Sequence, residues 1–575
     1  MSAKRICIKR NQQIFNVGDK DPKVVINSLD YDSLAKIIML LPIPERLDME
    51  EVCTKWKEAC QLAWYDIKEY KCKSSIGRCY DNRLLTQSYL KEILLRCGNY
   101  LDELSLSNVC NSSIMPFVGD HCKNLTTLEC KFNDKSLIDN ADDFVQVFTH
   151  LDRLKCIKIT IDHYCWNEVI NLSAIIDSLT EEINEIHLFS KSESDGKRRG
   201  SMSFKKFKNL EKLTLHGFWL ENIQEIAEKT TLVHLDIQFF DILTELFLFN
   251  ELVNLEYIDL TMGAEFDEVD NFSTKILNTI FCTCKNLKHL DIPRGSYDVA
   301  KIPLEKWINF QNLQHLGMCC DIMPDLANTI VKYCKSLKYL RIHYPHELID
   351  KTAFEKLTEL ENLECLILNG LHIVHEESIT AISKNCKKLK HLEIPYCFQL
   401  FSSPNVLDEL SKLQYLEHLS LCAAFEFEDS TIIAIANNCK NLKSLDIQDY
   451  PALTEAALVA LTNLKNLEKL NVGSLDIITD SFLIKLRGLK KLHCNLCMNI
   501  TDAGVIQFIK NNPDLEKISV GGIDNITIDL IIGADQATKN RTNGIILHIR
   551  VFGESLLQAS KTIITSQWLV VEEMI

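Results

Sequence analysis

Residues 284–292 read CKNLKHLDI, and residues 439–447 read CKNLKSLDI. The phrase is one instance of a pattern with apolar residues at i, i+3 and i+5. It recurs with i at Leu101, Leu125, Leu154, Ile183, Leu210, Leu232, Leu255, Leu287, Leu313, Leu337, Leu363, Leu389, Leu416, Leu442, Leu467, Leu489 and Leu515. The mean spacing is about 26 residues, the length of one strand-plus-helix unit in a stacked array. The alternating part of each phrase predicts a short strand with one apolar face. The stretch after it has helical spacing. In 499–515, Thr501 or Asp502 can cap a helix whose apolar stripe is Val505, Phe508 and Ile509. One strand and one helix cannot bury a core alone, so the chain has to stack its units.

Two further offsets fit this scheme. Cys122, Cys284, Cys334, Cys386 and Cys439 stand at i−3, where other units carry Leu151, Phe207, Leu252, Phe310, Leu360 and Leu413. A slot that accepts Leu and Phe is apolar, and cysteine fills it as a small hydrophobe. The cysteines fall one per unit rather than in paired clusters, which argues against a metal. Asparagine recurs at i−1 (Asn124, Asn209, Asn254, Asn286, Asn312, Asn362, Asn441, Asn466) and suits a turn with left-handed geometry. The pattern resembles the cysteine-containing class of leucine-rich repeats over residues 97–550. That resemblance implies an α/β fold: a curved right-handed solenoid of about 17–18 repeats, with parallel strands inside and helices outside. A degenerate unit from Ile545 and a tail at 551–575 would cap it.

The first seventy residues lack the phrase. Asp30 or Asp32 can cap a helix with Leu34, Ile37, Ile38 and Leu41 on its apolar side, stopped by Pro42 and Pro44. A second short helix would carry Leu47, Met49 and Val52, and a third Trp56, Ala59, Cys60 and Ala63. Such a small core is marginal alone. These residues resemble the F-box, which docks onto the Skp adaptor of cullin-RING ubiquitin ligases. The match lies at Leu29, Leu34, Ile37, Ile38, the Leu41–Pro42 pair, Val52–Cys53 and Trp56. Asp30 departs from the usual proline, and Ile38 stands where phenylalanine is common. An F-box before cysteine-containing repeats is similar to the Fbxl class of substrate receptors. The resemblance implies a Skp adaptor as partner and, through it, a cullin and a RING protein. The nine matched residues would form the adaptor contact. The other readings are an N-terminal cap over the first repeat and a repeat scaffold with no ligase. The implied layout is an N-terminal flexible segment (1–26), the F-box (27–70), a helical connection (71–96) and the array.

Charge and motifs limit the function. The net charge is −16, and residues 1–70 are neutral, so the acidic excess lies in the array. This argues against nucleic acid as the main ligand. No apolar run is long enough to span a membrane, and MSAKRICIKRNQQ lacks the apolar core of a secretory signal. With 23 cysteines and no such signal, reduced thiols in the cytoplasm or nucleus are expected. There is no G-x-x-x-x-G-K-[ST], G-x-S-x-G or H-E-x-x-H phrase, so a non-enzyme without cofactor is expected.

Recognition would fall to residues at i+2 and i+4, which point away from the leucines, toward the concave face. The i+2 column carries His234, Tyr257, His289, His315, Tyr339, His391 and His418, then Lys469, Lys491 and Lys517. The i+4 column carries Asp236, Asp259, Asp291, Arg341, Glu393 and Asp446. Amphipathic rings beside acids suit a protein segment with some basic residues. His289, His315 and Asp291 could geometrically approach a zinc ion, but nothing else marks a closed ligand set, and no metal is expected. The polar segment 191–208 breaks the period and is expected to loop out.

Overall fold

The computed structural model describes residues 26–573, except 73–85, 107–111, 133–140, 162–171, 191–198, 201, 221–223, 241–248, 261–273, 293–298, 319–321, 344–350, 370–373, 395–404, 423–427 and 450–452. It divides into two compact units, one ending at Lys68 and one starting at Glu69.

In the first unit, α1 (Tyr31–Met39), α2 (Ile43–Glu50) and α3 (Thr54–Ala63) follow one another with short turns. Asp30 starts α1 by accepting from the Ser33 amide at 2.7 Å and its hydroxyl at 2.9 Å. Pro42 precedes α2, and Pro44 sits in its first turn, where a missing N–H costs nothing. Leu34, Ala35 and Ile38 from α1 meet Ala59, Cys60 and Ala63 from α3, with Met39, Met49 and Trp56 at the margin. Val52 follows α2 rather than belonging to it, and is exposed.

The residue that ties these helices together is charged. Arg46 is only 3% exposed. It donates to the carbonyls of Met39 (2.6 Å), Leu41 (3.0 Å) and Ala63 (2.7 Å). It also makes a two-pronged pair with Asp66 at 2.6 and 2.9 Å. Carbonyls at the ends of α1 and α3, which have no partner within their helices, thereby gain a strong donor.

The second unit is one sheet of 21 parallel strands among the described residues. Each central leucine pairs in register with the next, as Leu290 does with Leu316 and Leu316 with Leu340. This ladder with helices between its strands is a leucine-rich-repeat solenoid. It runs one strand beyond the expected array at each end. Glu69–Lys71 pairs with Glu103–Ser105, and Leu569–Glu573 pairs with Leu547–Val551. Glu69 and Tyr70 therefore belong to the solenoid and not to the helical unit, and 551–575 continues the repeat with a helix and a strand. Within the expected connection, helix Gln87–Cys97 is capped by Thr86.

The cysteine slot is apolar. Cys122, Cys284, Cys334, Cys386 and Cys439 are buried, as are Leu151, Phe207, Leu252, Phe310, Leu360 and Leu413. Burial pushes the Cys284 thiol up to about 12, so it stays protonated.

The asparagines behave otherwise than the sequence suggests. Among the described residues, positive φ outside glycine occurs at Asp449, Ser474 and Leu496, and at none of the i−1 asparagines. Instead, Asn124, Asn254, Asn362, Asn441 and Asn466 each donate to a carbonyl of the preceding unit, at 2.6–3.1 Å. A second inter-unit bond joins helix starts. Thr501 donates through its amide and hydroxyl to Asp480, as Thr527 does to Asp502. Thr501 thus caps toward the previous helix, not its own. Gly504 makes room: a Cβ there would meet the Asp480 carboxyl carbon at 2.2 Å.

The segment expected to loop out does so only in part. Residues 191–198 lie outside the described residues, as do 1–25. Met202, Phe204 and Phe207 are buried, and Glu225 accepts from the Ser203 hydroxyl and the Phe204 amide.

Candidate functional site

The register of the ladder places equal offsets of adjacent units side by side, at the spacing of neighbouring strands. Five rings of the i+2 column consequently stack. Ring centres are 4.0 Å apart for His234–Tyr257, 3.9 Å for Tyr257–His289, 3.6 Å for His289–His315 and 3.9 Å for His315–Tyr339. Cys365 interrupts the column next, and His391 and His418 resume it at 5.2 Å. Faces are consumed in stacking, so a partner meets ring edges and polar tips.

Asp291 anchors the middle of this stack. It is 3% exposed, and its carboxylate accepts from His315 Nε2 at 2.7 Å and from Arg341 at 2.7 Å. Arg341 stands two strands away. It reaches across because the intervening i+4 position is Gly317, where a Cβ would fall 1.4 Å from Asp291 Oδ1. Burial opposes ionisation of Asp291, but the His315 bond and the Arg341 charge outweigh it and hold the carboxyl well below the usual range. Burial dominates at the rings. It pushes His315 down and His234 down to about 4, and it raises Tyr339 to about 12. His234 and His315 are therefore held in the neutral form at pH 7. His289 Nε2, buried and 3.5 Å from Asp291, has no hydrogen bond.

The acidic column is mostly committed to the protein itself. Asp236 accepts from His216 at 2.6 Å, and Glu393 from His391 at 2.6 Å. Asp259 takes part in further interactions of its own. Asp236, Asp291 and Glu393 thus each brace a neighbouring histidine ring.

Two clusters could in principle hold a cation: His289, Asp291 and His315, and Cys156, Glu185 and His187, each with ligand atoms within 4.8 Å of one another. In the first, His315 and Arg341 already occupy both carboxylate oxygens. In the second, Glu185 is paired with Lys212 at 2.8 Å, and burial pushes the Cys156 thiol up to about 12.

In the helical unit, the nine matched residues divide by burial. Leu34 and Ile38 lie in the unit's own core and offer no surface, which corrects their placement as direct contacts. Ile37, Pro42, Val52 and Cys53 are exposed; Leu29, Leu41 and Trp56 are half-buried. Trp56 donates to the Asn27 side chain at 2.8 Å. The exposed set also includes Tyr31, Leu62, Tyr65 and Leu40, which is 83% exposed. Leu40, the residue just past the end of α1, lies three positions after Ile37, and helical periodicity could have revealed it.

No family model matches the chain, and no curated protein does. Among solved structures it is similar to an internalin from Listeria monocytogenes, at 16% identity, over 58% of this chain and 79% of that one, with a TM-score of 0.30. At that level the likeness carries no argument. The class follows from the molecule's own ladder of in-register parallel strands, which is that of a leucine-rich-repeat fold.

Proposed function

We propose that the chain is the non-catalytic substrate-recognition subunit of a Skp–cullin–F-box ubiquitin ligase. Residues 26–68 dock the Skp adaptor, which links them to cullin and RING protein. The strand face of the solenoid holds the target and brings its lysines near the charged ubiquitin enzyme, a proximity effect. The observation that carries this reading is the exterior of the helical unit. Ile37, Leu40, Val52, Leu62 and Tyr65 are exposed on a unit whose core is already filled and braced by Arg46. So much exposed apolar surface on so small a unit suits a partner. No helix among the described residues is long and apolar enough to cross a membrane. The proposed work is in the cytoplasm or nucleus.

The test is co-elution of the purified chain with a purified Skp adaptor. Ile37→Asp places a charge in the proposed contact without entering the core. It is expected to weaken binding by about 100-fold, as for a central interface residue, while leaving the melting temperature within about 2 °C. A wild-type chain that does not co-elute would sink the proposal.

A further inference from the structure

The apolar slot accounts for the buried cysteines and leaves Cys282 unexplained. Cys282 lies in the helix Thr274–Thr283, two residues before the slot cysteine Cys284, and is exposed. Lys306 belongs to the short helix Leu304–Phe310 of the next unit. Its Nζ stands 3.0 Å from Cys282 Sγ and donates to the Asn278 side chain at 2.7 Å. Packing beneath the pair holds the two elements together. Phe281 meets Trp307 and Phe310 edge to face, with ring centres 4.8 and 4.4 Å apart. Asn309 donates to the Phe281 carbonyl at 2.9 Å. Cys282 follows Phe281 and Lys306 precedes Trp307, so the clamp that joins the units also fixes the backbone on either side of the pair. Asn278, one helical turn before Cys282, holds the amine in place. The nearest thiol in sequence is turned away: Cys284 is buried, with its sulfur 3.5 Å from the Leu252 carbonyl.

We propose that Cys282 and Lys306 form an oxidation site, which hydrogen peroxide converts into a reversible sulfur–nitrogen crosslink between neighbouring units. The Cys282 sulfur attacks peroxide and the O–O bond breaks. One oxygen stays on sulfur as a sulfenic acid, and the other leaves with the thiol proton as water. Lys306, once its ammonium has released a proton to water, attacks that sulfur. The S–N bond forms, the S–O bond breaks, and the hydroxide leaves with one amine proton as a second water. Sulfur gives up two electrons and peroxide takes them. Capture of a sulfenic acid by nitrogen needs a neighbour already in place, and a separation of 3.0 Å gives Lys306 that advantage over nucleophiles from solution. Exposure of Cys282 admits the oxidant, whereas the buried slot thiols are shielded. A thiol that attacks the sulfur releases the amine and reverses the link through a mixed disulfide. The inference does not rest on adaptor docking.

The test treats the full chain with hydrogen peroxide, digests it with trypsin without reductant and reads the peptides by mass spectrometry. The expected product joins the peptides carrying Cys282 and Lys306, lacks two hydrogens and is uncut after Lys306. It should be at least about tenfold more abundant than any disulfide of Cys282, and dithiothreitol should remove it. Lys306→Arg keeps the positive charge but offers no amine nucleophile. It should abolish the crosslink and leave Cys282 as a sulfenic acid that dimedone labels at least about tenfold more than in wild type. Its melting temperature before oxidation should stay within about 2 °C of wild type, which separates loss of the nucleophile from loss of the fold. A disulfide between Cys282 and Cys284 with normal cleavage after Lys306 would overturn the proposal. Equal dimedone labelling of wild type and Lys306→Arg would do the same, as would a Cys282 that stays reduced in peroxide.

Discussion

Arg46→Ala is expected to unfold residues 26–68 while the solenoid stays folded. The substitution strips the carbonyls of Met39, Leu41 and Ala63 of a buried donor and leaves Asp66 without its cation. Breaking one side of a buried charged network costs about 3–5 kcal/mol. A three-helix unit of this size has little more stability than that to lose. Arg46→Lys should rescue only in part, since one ammonium cannot serve three carbonyls and a two-pronged carboxylate from a planar fork. Amide hydrogen exchange provides the readout. Amides of α1–α3 should lose protection in the alanine variant while those of the repeat strands keep theirs. Full protection of α1 in Arg46→Ala would contradict the bracing role.

The second large effect belongs to Asp291. Asp291→Ala leaves Arg341 half-buried without its anion and His315 without its acceptor, at a cost of about 2–4 kcal/mol because Arg341 can turn partly to water. The pH dependence has a definite sign. The folded pKa of Asp291 is lowered, so its contribution is complete above the unfolded carboxylate value of about 4. It is lost as pH falls from there toward the folded value. His187, His234, His315, His418 and His493 are also lowered, with burial the main cause in each. They are neutral when folded, so unfolding takes up protons below about pH 6.5. Both effects weaken the solenoid on acidification. The urea midpoint should hold between pH 8 and 7 and fall steadily from 6.5 to 4. Asp291→Asn should flatten the remaining fall below pH 4. A midpoint that rises between pH 7 and 5 would contradict this account.

Much of the fold was legible because a stacked core forces the same choice on every unit. A leucine at i+3 must face the leucines above and below it, so the phrase repeats. The two terminal strands were not legible. Among the described residues each has only one neighbouring strand in the ladder, and EYK at 69–71 and LVVEE at 569–573 need not keep the full phrase. The asparagine at i−1 was visible as a pattern but misread, because its partner is a backbone carbonyl one unit back and leaves no mark of its own in the sequence. The aromatic column was also visible, but its anchor was not: the grip on Asp291 requires Gly317 and Arg341 on two successive strands. Arg46 escaped notice for a similar reason. Its acceptors are mostly main-chain atoms, and Asp66 lies 20 residues away. The split between Leu34 and Ile38 inside and Ile37 outside follows from helical spacing, which a motif match does not weigh.

The central claim is that the helical unit is a docking module and the solenoid a separate recognition surface. Hydrogen exchange on the wild-type chain, with and without a purified Skp adaptor, tests it most directly. The account predicts new protection within residues 26–68, centred on the segments carrying Ile37, Leu40 and Val52, with the strands from Tyr257 to Lys517 unchanged. An adaptor that produces no protection, or protects the repeat strands instead, would contradict it.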